Sequence, residues 1–121
     1  MTEETTGQAF YRRQIAALES GDVDKVMAQY HEDAVLVSFD TTVQGLPDLR
    51  KHFVGYLARL GSLTLLSTNR WAETSDSIFF EATVRTGTGE AKVYDVFVLR
   101  DGKATHHFTG LISFTPLVPT N

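Results

Sequence analysis

The chain has 121 residues, of which 42% are hydrophobic, 11% aromatic and 21% charged, enough for one domain with its own core and too few for two ordinary ones. Cysteine is absent, which excludes thiolate catalysis, Cys-ligated zinc, iron–sulfur clusters and disulfide frameworks. Lys and Arg number 11 against 15 Asp and Glu, a formal net charge of -4, so the broad positive field that drives nucleic-acid binding is missing and no nucleic-acid partner is expected.

The first residues, Met1 to Gly7, are acidic and polar, with neither the basic nor the apolar segment of a signal peptide. No run approaches 18 apolar residues, so we expect a cytoplasmic protein without a membrane partner. Residues 1 to about 6 and the tail from Pro116 to Asn121 read as loose ends, the prolines being unfit for a central sheet. From Gly7 to Ser20, Phe10, Tyr11, Ile15 and Leu18 recur at helical spacing, and Gly21 stands where a left-handed cap belongs. Asp22 is placed to cap a second, short helix carrying Val23, Val26, Met27 and Tyr30, which the spacing ends near His31. Ala34 to Phe39 is β-branched and apolar, a strand, and Asp40 to Gly45 turns into a second short one. Pro47 suits the first turn of a third helix, whose stripe Leu49, Phe53, Tyr56, Leu57 and Leu60 stops at Gly61.

Everything after Gly61 reads as strand: Leu63 to Glu73, Ser77 to Arg85, Ala91 to Leu99 and Ala104 to Phe114, with Arg100 to Lys103 as a hairpin turn. Two helices, two short strands, a third helix and four long strands, with no βαβ alternation, predict an α+β domain with an antiparallel sheet. The apolar face of that sheet must be covered, and three amphipathic helices are available to pack into its concave side. A cleft or cone follows.

The stretches Ala16 to Val35, with its Ala-Leu-Glu-Ser-Gly-Asp and Glu-Asp-Ala motifs, Val43 to Arg50, and Asp101-Gly-Lys103 between two late strands resemble the NTF2-like superfamily, closest to its SnoaL-like and ketosteroid-isomerase-like branches. The similarity spans roughly residues 8 to 114 and predicts a single domain of that kind. It implies a cone-shaped curved sheet closed by three helices, the cystatin-like α+β barrel, a pocket between helices and sheet, and frequent dimerisation through the outer sheet face. One fold that hosts isomerases, dehydratases, cyclases and non-catalytic binders does not name an activity.

Asp95 interrupts the apolar run Val93 to Leu99. If Val93, Phe97 and Leu99 share its face by the period of two, its carboxyl enters an apolar cavity, where burial disfavours the charged form and a neutral acid donates a hydrogen bond to a substrate oxygen. The alternative is an outer-face Asp paired with a neighbouring cation. By the resemblance, Asp95 stands where ketosteroid isomerases hold their oxyanion-binding acid, while Gln14 stands where they hold a helix-one tyrosine and Ser38 where they hold the base. Gln14 donates a hydrogen bond without an acidic phenol, and Ser38 takes no proton unaided, so ordinary ketosteroid isomerisation is not implied. Asp40, two residues on, is either a displaced base or a turn residue.

His106 and His107 point to opposite faces of the last strand. A two-residue Asp101-Gly102 loop places Phe108 opposite Asp95, whereas a three-residue loop with a bulge places His107 there. The resemblance favours the latter, with His107, Thr109 and Leu111 inward, and an imidazole beside a carboxylate is an acid/base pair near neutral pH. His52 and Tyr56, spaced i, i+4, with Phe53, Tyr30, Phe97 and Trp71, are candidates for the pocket wall or plain core. With four His, no Cys and no ligand-spaced pair, no metal is expected, and no P-loop, Rossmann glycine pattern or nucleophile elbow calls for a cofactor. Two readings result. One is a cofactor-independent isomerase, dehydratase or cyclase acting on a small apolar carbonyl- or hydroxyl-bearing molecule through Asp95 and His107. The other is a non-catalytic ligand-binding or assembly module. Tyr94, Val96 and Val98 on the outer sheet face predict a covering partner, most simply a second copy of the chain.

Overall fold

In the computed structural model, which describes residues 3–117, the first helix starts where two orphan backbone donors are met reciprocally. Thr5 Oγ1 accepts from the Gln8 N–H, and the Gln8 side chain accepts from the Thr5 N–H, a capping box opening α1 (Thr6–Ser20). Gly21, left-handed at φ 71, closes it, and the Asp22 carboxylate then accepts from the Asp24 N–H to open α2 (Val23–Met27). This helix stops short of His31. Tyr30 and His31 enter strand β1 (Tyr30–Val37), because Tyr30 pairs with Ala104 and the Ala104 N–H donates to the Gln29 carbonyl, a partner that outcompetes the helical periodicity.

A turn built on Ser38 leads to β2 (Thr42–Gln44), and α3 (Leu46–Leu60) follows with Pro47 in its first turn and Gly61 past its end. Four long strands complete the chain: β3 (Leu63–Glu73), β4 (Ser77–Thr86), β5 (Gly89–Arg100) and β6 (Lys103–Pro116). They form one six-stranded sheet in the order β2-β1-β6-β5-β4-β3. The β1–β6 pair is parallel, so the sheet is mixed where all-antiparallel pairing was expected. Pro116 also corrects an expectation: it ends β6 opposite Gly89, beyond the stretch that pairs with β1, where no ladder partner needs its missing N–H. The rest of the proline tail, 118–121, lies outside the described residues.

Irregularities in β3, at Leu65/Ser67 and Thr68/Arg70, and in the β5–β6 ladder bend and twist the sheet, which curves without closing and leaves β2 and β3 as its edges. The helices fill its concave side. Phe10 of α1, Leu49 and Phe53 of α3, and Leu36, Ile78, Phe80 and Phe97 of the sheet are buried together, each such side chain contributing about 1.5–3 kcal/mol relative to exposure. No helix among the described residues is long and apolar enough to cross a membrane.

Candidate functional site

The alternation of β5 puts Val93, Asp95, Phe97 and Leu99 on the concave face, and the phase of β6 decides what meets them. The β5–β6 turn has two residues, Asp101 (φ 54) and Gly102 (φ 77), both left-handed as the tight mirror-type hairpin turn requires. A regular ladder from that turn pairs Phe97 with His106. Instead Thr105 is bulged out, its hydroxyl donating to the Val98 carbonyl at 3.2 Å, and the extra residue sets His107 opposite Phe97 and Thr109 opposite Asp95. Neither expected register therefore holds, since the short loop and the bulge occur together. His107 and Thr109 share the face of Asp95, and His107 reaches Asp95 on the diagonal. Leu111 pairs with Val93 on this face but is exposed, past the cover of the helices.

His107 Nε2 lies 2.7 Å from Asp95 Oδ1, and its Nδ1 lies 2.9 Å from the Tyr30 hydroxyl. Gln14 Nε2 donates to that hydroxyl at 3.2 Å. His107, Tyr30 and Gln14 are 5%, 2% and 2% exposed, and the Phe97 ring stacks on the imidazole at 3.9 Å between centroids. With Asp95 as a carboxylate acceptor, Nε2 carries the imidazole proton. In the neutral imidazole Nδ1 is a lone pair to which the Tyr30 O–H donates, while the Tyr30 oxygen receives the Gln14 N–H. Gln14 Oε1, at the far end, has no partner among the described residues.

Gln14, Asp95, His107 and Thr109 line one cavity of about 90 Å³, roofed by Ile15 and Leu18 of α1 and by His52, Phe53 and Tyr56 of α3. Asp95 keeps its second oxygen for this space. Burial pushes the Tyr56 hydroxyl up to about 12, with the Asp95 charge adding and Arg59 opposing, so it remains a protonated donor. The Tyr30 hydroxyl is raised well above its ordinary value, again chiefly by burial. His52, stacked on Tyr56, is lowered by burial first and then by Arg59 and His107, which keeps it neutral at pH 7.

Other candidates stand apart. Asp40 is exposed in the turn, its N–H donating to Ser38 Oγ, and Ser38 is occupied by that turn, accepting also from the Thr41 N–H. Trp71 packs against Tyr11 and Phe80 and donates to Glu73 Oε1 at 3.2 Å, apart from the cavity that Asp95 lines. Tyr30 and Phe97 sit behind the imidazole. The link from Gln14 through Tyr30 to His107 was not readable, because helical spacing assigns Tyr30 to α2; the apolar stripe of α1 did carry a signal for Ile15 and Leu18. Among the described residues no cluster of three or more His, Asp or Glu is arranged to hold a metal ion.

The sequence matches the SnoaL-like domain over residues 11–107. Among curated proteins none matches. The structure is similar to a SnoaL-like protein of unknown function from Burkholderia thailandensis, with a TM-score of 0.77 and 15% identity over 93% of this chain and 100% of that one. It is similar also to a Kribbella flavida protein provisionally assigned as a ketosteroid isomerase (TM-score 0.75, 14% identity, 95% of this chain and 84% of that one). A third is TerC, co-crystallised with polyporic acid (TM-score 0.72, 18% identity, 88% of this chain and 92% of that one). Identities this low carry the fold and no more.

Proposed function

The chain belongs to the SnoaL-like domain family, and we propose that it is a cofactor-independent isomerase, dehydratase or cyclase on a small, mostly apolar, carbonyl- or hydroxyl-bearing molecule. One observation carries the reading: Asp95 lines the inner cavity while His107 holds one of its oxygens at 2.7 Å. The second oxygen exchanges a proton with the substrate. Both nitrogens of His107 are engaged, so its part is to orient the carboxylate and spread its charge, with Tyr30 fixing the tautomer and Phe97 the plane of the ring. Tyr56, held protonated, donates to the oxygen on which charge develops. A cavity of about 90 Å³ is far below the ~300–1,000 Å³ of drug-sized pockets, which restricts the substrate to a small molecule.

The test uses 3-hydroxycyclopentanone in D₂O, following exchange beside the carbonyl and loss of water by proton NMR. The wild-type protein should accelerate one or both, and Asp95→Asn should lower the rate by about 10²–10⁴. Equal rates for the two proteins refute the assignment. The competing reading, a ligand-binding or assembly module, draws on Gln14 and Ser38 in place of a phenol and a base, and on the outer face of the sheet. There Phe79, Phe108 and Ile112 are exposed, and Phe79, Tyr94 and Ile112 border a groove of about 330 Å³. We propose that a second copy of the chain covers this face, whichever reading of the cavity holds.

A further inference from the structure

We infer that Arg59 holds a carboxylate at the rim of the inner cavity, and that the substrate is a small keto or hydroxy acid. The inference rests on the inner cavity being the substrate site and adds the charged group by which the substrate is held there. None of the residues that line the cavity is Lys or Arg, but His52 and Tyr56 on its helical wall share one face of α3 with Arg59, at i, i+4 and i+7. His52, lowered by burial first and by Arg59 next, and Tyr56, whose rise through burial and Asp95 is opposed by Arg59, both feel its charge.

The guanidinium is placed by a glycine. Gly55 stands inside α3, where glycine weakens a helix relative to alanine, and the atom nearest to the place its Cβ would take is Arg59 Nη1 at 3.3 Å. Arg59 thus folds back one turn and lies over the gap that Gly55 leaves, beside His52. A cation in the last turn of a helix also suits the dipole, but this one lies a turn short of the free carbonyls. The opposite flank of α3 is closed against α2, where Arg50 Nη2 meets Asp24 Oδ1 at 2.7 Å. Arg59 has no such carboxylate: among the described residues the ion pairs are Arg12–Glu4, Arg50–Asp24 and His107–Asp95.

A guanidinium presents a planar fork that a carboxylate fits with two parallel hydrogen bonds. The chain carries a formal net charge of -4 and Asp95 keeps its own charge within, so an anion is repelled unless it meets Arg59. Held at the rim, the carboxylate keeps part of its water and stays clear of Asp95. The carbonyl or hydroxyl end of the same molecule then enters the cavity of about 90 Å³ toward Tyr56 and Asp95. The ion pair also sets the direction of entry, because the charged end stays out and the reacting carbon goes in. An uncharged ketone or alcohol of the same size enters without that orientation.

The test is binding of 3-oxocyclopentanecarboxylate and its primary amide, close in size and shape but different in charge, by NMR titration of wild type and Arg59→Gln at low and at high salt. Arg59 is exposed, so the substitution should leave the fold intact by circular dichroism. Arg59→Gln should lower the carboxylate-to-amide affinity ratio about three- to tenfold at low salt. In wild type that ratio should fall as salt rises, and in Arg59→Gln it should not. A further readout needs no variant: the Arg59 Nε–H resonance should shift on saturation with the carboxylate and stay in place with the amide. A ratio unchanged by Arg59→Gln, a resonance that responds alike to both, or no binding of the carboxylate overturns the inference. A guanidinium that serves only the helix end gives the first of these together with a lower Tm. Carboxylate preference at Arg59 in a protein whose exchange rates ignore Asp95→Asn would sink the catalytic reading and leave this one standing; exchange that needs Asp95, with a ratio blind to Arg59, would do the reverse.

Discussion

Tyr30→Phe removes one oxygen from the interior and leaves two partners without their bond. The hydroxyl accepts from Gln14 and donates to His107, and all three residues are almost fully buried, so water cannot replace it without opening the core. Each lost neutral bond is worth about 0.5–1.5 kcal/mol net, and each stranded group adds about 1–3 kcal/mol of desolvation, offset in part because the phenol no longer has to be buried. The expected loss is about 2–4 kcal/mol. For a domain of this size that is roughly 8–16 °C in Tm. Urea unfolding followed by near-UV circular dichroism measures it, and the Gln14→Leu/Tyr30→Phe double variant should fall short of additivity by about 1 kcal/mol or more. The ring itself stays, packed against Phe53 and Phe97, so cavity formation contributes little. A loss below 0.5 kcal/mol, or strict additivity with Gln14→Leu, would show that the relay is not closed in solution.

Tyr56 offers an alkaline signature. Its folded value is raised from 10.0 to about 12, so its stabilising share is whole below pH 10 and is lost as pH climbs from about 10 to about 12, on the order of 2–3 kcal/mol. Tyr56→Phe should flatten the urea midpoint across that window, with Tyr30 keeping a residual slope; an unaltered slope contradicts the burial argument. For the outer face, sedimentation at micromolar concentration should give twice the 13.4 kDa chain mass, and Phe108→Glu should return it to one chain. A single-chain mass unchanged on tenfold concentration excludes the dimer.

Most elements were legible from periodicity and punctuation. Gly21, Asp22, Pro47 and Gly61 mark helix ends by the dihedral angles and capping groups they supply, and the boundaries of β3 coincide with the alternation that predicts them. The concave placement of Asp95 and His107 was within reach for the same reason. Tyr30 was not, because its local spacing continues α2 and only a partner 74 positions away, Ala104, makes it a strand residue. The pairing of Asp95 with Thr109 was hidden too. Nothing in Lys-Ala-Thr-His-His announces that Thr105 will be left out of the ladder, since a bulge is a property of two strands at once.

A second bulge lies further along β6, at Ile112, between the pairs Val93–Leu111 and Lys92–Ser113. The segment from His106 to Leu111 is therefore bracketed by two compensating frameshifts, one that moves it out of phase with the hairpin turn and one that restores the phase before Phe114. It behaves as a cassette. Closing both bulges would turn its faces over, bringing His106 and Phe108 to the cavity and His107 and Thr109 to the outer surface, while the turn keeps its pairing and the strand end keeps its faces but slides two residues along β5. The interior wall and the outer face are thus two printings of one six-residue strip, and the imidazole that meets Asp95 is chosen by where two residues are left unpaired rather than by where the histidines stand in the sequence.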